Sequence, residues 1–285
     1  MAYKTKQFKV IQHPRSGRKY KVPVHDDHLM RLMGLEGQGG NIHWQAQINN
    51  TLRQSFYQTD NLKHIAIDVG AHIGMNTIEF ADLYHKVYTF EPVPEIFECL
   101  TETVRLNVKD TTRIHMYNAA VGSIARDVSM QYNDTNTLAT QTRASGSKGS
   151  KFSVTQVTLD EVIPKDQTVA LIKLDCEGVE LEALKGAERI LMEQSPVLLF
   201  EWKPHISKKY TTSNTEIFTW LLEHCGYTIA NKYGQEIDIS TIKGNRVQLV
   251  MVDERLGSVN VPTYCDFFAT RGRKCRYSGG RFVWS

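Results

Sequence analysis

The sequence predicts a doubly wound α/β fold, a seven-stranded and mostly parallel Rossmann-like sheet with an extension at each end. Three observations carry that expectation. From Lys63 onward, short apolar runs alternate with helix-length amphipathic stretches, the signature of βαβ units. The first run ends in a glycine turn, Asp68-Val69-Gly70-Ala71-His72-Ile73-Gly74. Such a turn sits where the first parallel strand of an open sheet delivers its chain to a ligand. The last two runs have no long helical stretch between them, so they should pair antiparallel.

The elements follow in order. Residues 1–62 are polar with weak periodicity, a glycine loop at Gly34, Gly37, Gly39 and Gly40, and one helix candidate over 43–58. The first strand is expected over His64–Val69, then a helix from Met75 to Tyr84, a strand over Lys86–Glu91, and a helix from Pro94 to Val108. Pro94 suits the first turn, where its missing N–H is not needed. Arg113–Asn118 reads as the third strand. The polar segment 122–152 carries hairpin strands at Val128–Tyr132 and Ser153–Val157, with a Ser/Thr/Asn-rich loop over 131–150 that could act as a lid. Thr158–Val162 reads as a short helix and Val169–Asp175 as the fourth strand. Leu181, Leu184, Ala187, Ile190 and Leu191 share one face, which predicts a single helix over Glu180–Gln194. Val197–Glu201 is the fifth strand, Thr215–Cys225 a helix closed by Gly226, and 227–230 and 247–252 the last two strands. We expect an N-terminal extension over 1–62, one domain over 63–253 and an irregular basic and aromatic extension over 254–285.

Composition excludes several classes. Hydrophobic residues at 41% and charged residues at 23% are ordinary for a globular protein, and the net charge of +3 does not by itself demand nucleic acid. The charge is uneven, with nine Lys/Arg against four acids in residues 1–60 and Arg271, Arg273, Lys274, Arg276 and Arg281 near the other end. Solvated ends explain this, and so does attraction to an anionic partner. Five cysteines without a C-x-x-C pair argue against a disulfide framework and against zinc. No apolar run follows the start of the chain, and none is long enough to span a membrane, so a cytoplasmic location is expected.

The chemistry gathers at strand ends. A dinucleotide turn needs glycine at three places, and here those places hold Gly70, His72 and Met75. A ligand without a pyrophosphate suits this turn better. The second strand ends in Glu91, twenty-one residues after Gly70, where a carboxylate can accept bonds from two ribose hydroxyls. Asn118 and Ala119 end the third strand and could border an adenine ring.

The segments IAIDVGAHIGMNT, VYTFEPVPEIFECL, YNAAVGS, VTLDEV, LIKLDCEGVELEALKGAERIL and PVLLFEW occur in the order found in the FkbM family of S-adenosylmethionine-dependent methyltransferases. The chain resembles that family over about residues 63–203, most specifically at Ile172–Glu180 followed by Leu184-Lys185-Gly186-Ala187. The resemblance implies a class I methyltransferase sheet with its last strand antiparallel, and S-adenosylmethionine as cofactor. It implies Asp68, Gly70 and Gly74 at the methionine end, Glu91 on the ribose, and Asn118 and Ala119 beside adenine. Ala71, His72 and Asn76 in the same turn and first helical turn, and Asp175 across from it, are further candidates for cofactor contact by their place in the sequence. It also implies O-methylation of a hydroxyl on a glycan, glycolipid or secondary metabolite.

On the acceptor side, methyl transfer needs alignment and a base for the acceptor proton. Lys173, Asp175 and Glu177 should point one way while the fourth strand stays extended, and Glu201 ends the fifth strand nearby. Asp175 or Glu177 is the expected base, with His72 and Glu201 as further candidates. A structural ion pair that caps the next helix is the plainer alternative. His205 and Lys203 follow Glu201 at spacings that leave the role of His205 open. No metal is expected, although Asp175, Glu177 and Glu201 carry suitable oxygens. An Asp/Asn-Pro-Pro-Tyr/Phe element, which base N-methyltransferases commonly carry, is replaced by Asp175-Cys176-Glu177-Gly178. Three rivals stay open: an RNA acceptor met by the basic ends, a non-catalytic binding module, and a nicotinamide oxidoreductase.

Overall fold

Ile65-Ala66-Ile67 is apolar on both faces of an extended chain, and such a strand is stable only with both faces covered. The computed structural model describes residues 7–14, 16–24, 26, 29–30, 63–132, 150–202, 207, 209–213, 215–231, 251–253, 257–259, 265–271, 275–278 and 281–284. The chain opens with an antiparallel hairpin, β1 (Phe8–Gln12) and β2 (Lys19–Pro23). Next come β3 (Ile65–Val69), α1 (Met75–Leu83), β4 (Lys86–Phe90), α2 (Pro94–Asn107) and β5 (Ile114–Tyr117). A small sheet follows, β6 (Ala120–Val121), β7 (Arg126–Tyr132) and β8 (Ser150–Val157). The chain then forms α3 (Leu159–Val162), β9 (Val169–Leu174), α4 (Glu180–Lys185), α5 (Glu188–Gln194), β10 (Val197–Trp202) and α6 (Glu216–Thr219). After α6 come β11 (Tyr227–Asn231), β12 (Met251–Asp253), β13 (Gly257–Val259), β14 (Cys265–Arg271), β15 (Cys275–Ser278) and β16 (Arg281–Trp284).

The central sheet runs β5-β4-β3-β9-β10, all parallel, and continues antiparallel through β14 to β11. The chain leaves β3 toward β5 and returns on the other side of β3 as β9. The topological switch point, where open sheets bind ligands, therefore lies between β3 and β9. One face of the sheet packs Ile67, Ile172 and Phe200 against Leu184, Ile190 and Phe218. The other packs Ala66, Leu171 and Leu199 against Ile78, Ile96 and Leu100.

The expected strands from β3 to β10 and both hairpin strands are present, with ends shifted by at most three residues. Three expectations need correction. First, the single helix over 180–194 is two helices. The Gly186 carbonyl accepts the Asp160 amide at 2.9 Å, and the Asp160 carboxylate caps α5 by accepting the amides of Arg189 (2.8 Å) and Ile190 (3.1 Å). Second, the helix from Thr215 is α6 followed by a π-turn, Trp220–His224, before Gly226 closes it at φ 69°. Third, the strand beside β10 is β14, in the stretch expected to be irregular, while Met251–Asp253 pairs with Gly257–Val259 instead. Residues 247–250 lie outside the described residues, as do the helix expected over 43–58, the glycine loop at 34–40 and residues 133–149 of the lid candidate.

The first hairpin, which falls in the expected N-terminal extension, packs against α1 and α2. Tyr20 and Val22 are buried in the core cluster under α2. The Lys19 and Lys21 amides donate to Asn107 Oδ1 (3.0 Å) and Thr103 Oγ1 (3.2 Å), and Arg18 pairs with Glu79 (3.1 Å) and Asp82 (2.7 Å) on α1.

Candidate active site

The loops that leave β3 and β9 meet at the switch point. Gly70 has φ 74°, and a Cβ on it would stand 1.9 Å from the Asp175 carbonyl oxygen. The Asp175 amide donates to the Val69 carbonyl at 3.0 Å. Glycine is required here by the backbone conformation and by the approach of the second loop. Gly74, at φ 89°, starts α1 without a side-chain cap, and a Cβ there would lie 2.7 Å from the Leu100 side chain.

Asp68 and Lys173 are register partners on β3 and β9. Both are buried, and Lys173 Nζ lies 3.3 Å from Asp68 Oδ1, 3.0 Å from the Gly70 carbonyl and 3.7 Å from Asp175 Oδ2. The other Asp68 oxygen accepts the Thr77 hydroxyl at 2.7 Å. Burial alone would lower the Lys173 pKa, but Asp68 and Asp175 outweigh it and hold the ammonium above its ordinary range. Lys173 thus locks the two loops together and stays charged. Asp68 is fully buried, with Oδ2 on the Thr77 hydroxyl and Oδ1 facing the Lys173 ammonium.

Glu91 follows β4 and is 5% exposed. Its Oε2 accepts the His72 amide and its Oε1 the Val93 amide, both at 2.9 Å. Burial pushes this carboxyl up to about 7, against the pull of those two amides. Each oxygen keeps a lone pair for one more donor, which fits the vicinal hydroxyls of a ribose. The Asn118 amide group donates to the carbonyls of Glu91 (2.8 Å) and Pro92 (3.1 Å), so it braces this turn. Ala119 is buried beside it, Ala71 is buried in the loop, and Asn76 is buried in the first turn of α1.

His72 has φ 53°, a strained conformation for a non-glycine residue of the kind that gathers at functional sites. Burial lowers its imidazole to about 4, opposed by the charges of Asp26 and Asp175, so the ring is neutral at pH 7. Asp26 is a residue that sequence reasoning missed. It is fully buried and accepts the Leu29 amide at 2.8 Å. Its Asp-x-x-Leu pattern is a helix-start signal, but it lay in a stretch read as a polar extension.

The expected alternation along β9 ends at Leu174. Beyond it Glu177 takes φ 55° and Gly178 φ 99°, so a turn, not an extended strand, brings the acids together. Carboxylate oxygens of Asp175, Glu177 and Glu201 lie within 4.8 Å of one another, all three side chains half-buried. Such a trio can accept hydroxyl hydrogens, take a proton or ligate a cation. Lys203 and His205 lie outside the described residues.

The methyltransferase FkbM domain matches the sequence over residues 68–229. No curated protein matches it. Among solved structures, the chain is similar to the methyltransferase FkbM of Methylobacillus flagellatus, with 16% identity, a TM-score of 0.47, and coverage of 86% of this chain and 55% of that one. It thus spans little more than half of that protein. It is also similar to TYW2 of Pyrococcus horikoshii in complex with MeSAdo (14% identity, TM-score 0.44, coverage 95% and 74%). An rRNA methylase from Streptococcus thermophilus is similar at 12% identity, TM-score 0.40 and coverage of 80% and 95%.

Proposed function

We propose, from the premise that this chain belongs to the FkbM methyltransferase family, that it moves a methyl group from S-adenosylmethionine to a hydroxyl oxygen of a glycan, glycolipid or secondary metabolite. The observation that carries this reading is the carboxylate trio of Asp175, Glu177 and Glu201 at the carboxyl end of the sheet. When bound, S-adenosylmethionine supplies an electrophilic methyl group on a sulfonium. Glu91 would hold the ribose hydroxyls through its two oxygens, and the loop from Gly70 to Gly74 with Asn76 would border the methionine end. Asn118 and Ala119 would flank the base. Lys173 and Asp68 would keep the two loops in register. Asp175, aligned by its ion pair with Lys173, would accept the acceptor hydroxyl's proton, with Glu177 and Glu201 orienting neighbouring hydroxyls.

Three clustered carboxylates favour an uncharged or cationic acceptor, because a phosphodiester would meet like charge. This weighs against the RNA alternative. Among the described residues no helix is long and apolar enough to cross a membrane. A labelled-methyl assay over hydroxylated acceptors tests the reading. The labelled methyl should appear as a methyl ether on the acceptor oxygen, and Asp175→Asn should lower turnover by roughly 100-fold or more while cofactor affinity changes little. Label on a nitrogen, or full turnover by Asp175→Asn, would refute it.

A further inference from the structure

We propose that Glu180 is the positioning residue of this site, its buried carboxylate holding the turn after β9 in the form that presents Asp175 and Glu177 to the acceptor. The inference rests on the reading above for what the two acids do there, but not for what holds them.

Between the end of β9 and the start of α4 the chain has five residues in which to reverse, Asp175 to Val179. It does so through two consecutive left-handed residues, Glu177 and Gly178. Gly178 adopts that conformation freely, but a glutamate does so only when its surroundings impose it. The structure identifies what imposes it. The amides of Cys176 and Gly178, on either side of Glu177, both donate to Glu180 Oε1, at 3.0 and 3.1 Å. Glu180 is 3% exposed, so it cannot reach an acceptor in the cleft, and water has little access to take its place. Successive backbone amides in a turn form a concavity for an anion, and here the chain fills it with its own carboxylate.

The consequence is geometric. Without the carboxylate, the two amides must turn toward water, Glu177 leaves the left-handed region, and the trio with Glu201 disperses. Glutamine keeps one oxygen for both amides and should hold the turn. Aspartate, one methylene shorter, should not reach.

The test uses the full-length chain with Glu180→Ala, Glu180→Asp and Glu180→Gln, and Asp175→Asn as a reference. Hydrogen exchange is followed at the Cys176 and Gly178 amides, and steady-state methyl transfer with the hydroxyl acceptor selected above. We expect exchange at those two amides to rise about tenfold or more in Glu180→Ala and Glu180→Asp, with β3 protection unchanged. kcat should fall about tenfold with the methyl donor KM within about threefold, and Glu180→Gln should stay near the parent in both readouts. Unchanged exchange in the alanine and aspartate variants would overturn the proposal, as would a glutamine variant as impaired as alanine. If alanine prevents folding, the contrast between aspartate and glutamine decides alone. Full turnover by Asp175→Asn would instead fail the functional reading, and the exchange results would still judge Glu180.

Discussion

Glu91 and Lys173 divide the work at the two strand ends, and each makes a prediction. Glu91 binds two backbone amides and keeps capacity for two more donors. Removing it as Glu91→Ala should weaken S-adenosylhomocysteine by on the order of 100-fold or more, since it removes two hydrogen bonds to a charged group at about 1.5–3 kcal/mol each. Calorimetric titration measures this. Lys173 is different, because it is a buried cation shared by Asp68, Asp175 and a carbonyl. Lys173→Met should cost about 3–5 kcal/mol of stability in denaturant unfolding, because it leaves Asp68 buried without its counter-charge.

The pH response follows from Glu180, which burial raises to about 7 against the pull of the Gly178 amide and others. A carboxyl held above its ordinary value binds its proton more tightly in the folded chain than in the unfolded one. Its stabilisation is complete below about 4.5 and is lost as pH rises through about 7. Glu180→Gln removes that loss and leaves Glu91 and His72 as they are. The variant should therefore gain stability over the parent as pH rises from 5 to about 8, and a constant difference across that range would contradict the assignment.

At the scale of elements, the break between α4 and α5 shows how a helical pattern can mislead. The apolar positions from Leu181 to Leu191 keep helical spacing across the break, so periodicity alone draws one helix. What divides them is Asp160 on α3, a residue twenty or more positions earlier, whose carboxylate takes the first amides of α5. No local signal carries that. Asp160→Ala should cost roughly 1–2 kcal/mol in urea unfolding, the scale of a lost helix cap. The β3 turn was legible because Gly70 and Gly74 stand at positions that need glycine. Its partner turn was half legible. The acids Asp175 and Glu177 were found, but through an alternation that ends at Leu174, and the left-handed Glu177 that gathers them is not a sequence signal.

At the scale of the whole molecule, the parallel centre was readable because each strand is a short apolar run followed by an amphipathic stretch. The ends were not. The first hairpin buries Tyr20 and Val22 in the core, with Phe8 and Ile11 packed partly against it, too few for a pattern, and polar contacts with α1 and α2 add to its hold. β14 comes late in a basic stretch and still pairs along β10 in register from Leu198 to Trp202. Deleting residues 1–24 should therefore remove the burial of two apolar side chains, about 1.5–3 kcal/mol each. At this chain length that lowers the melting temperature by on the order of 10 °C. An unchanged melting curve would show that the hairpin is not part of the folded unit.

The central claim is that the switch point between β3 and β9, with Glu91 beside it, takes a methyl donor and not a dinucleotide. Calorimetric titration of the full chain with S-adenosylmethionine, with NAD as the control, tests it most directly. The account predicts one saturable site for S-adenosylmethionine that is lost in Glu91→Ala, and no heat of binding with NAD. Binding of NAD without S-adenosylmethionine, or a Glu91→Ala protein that binds S-adenosylmethionine as the parent does, would contradict it.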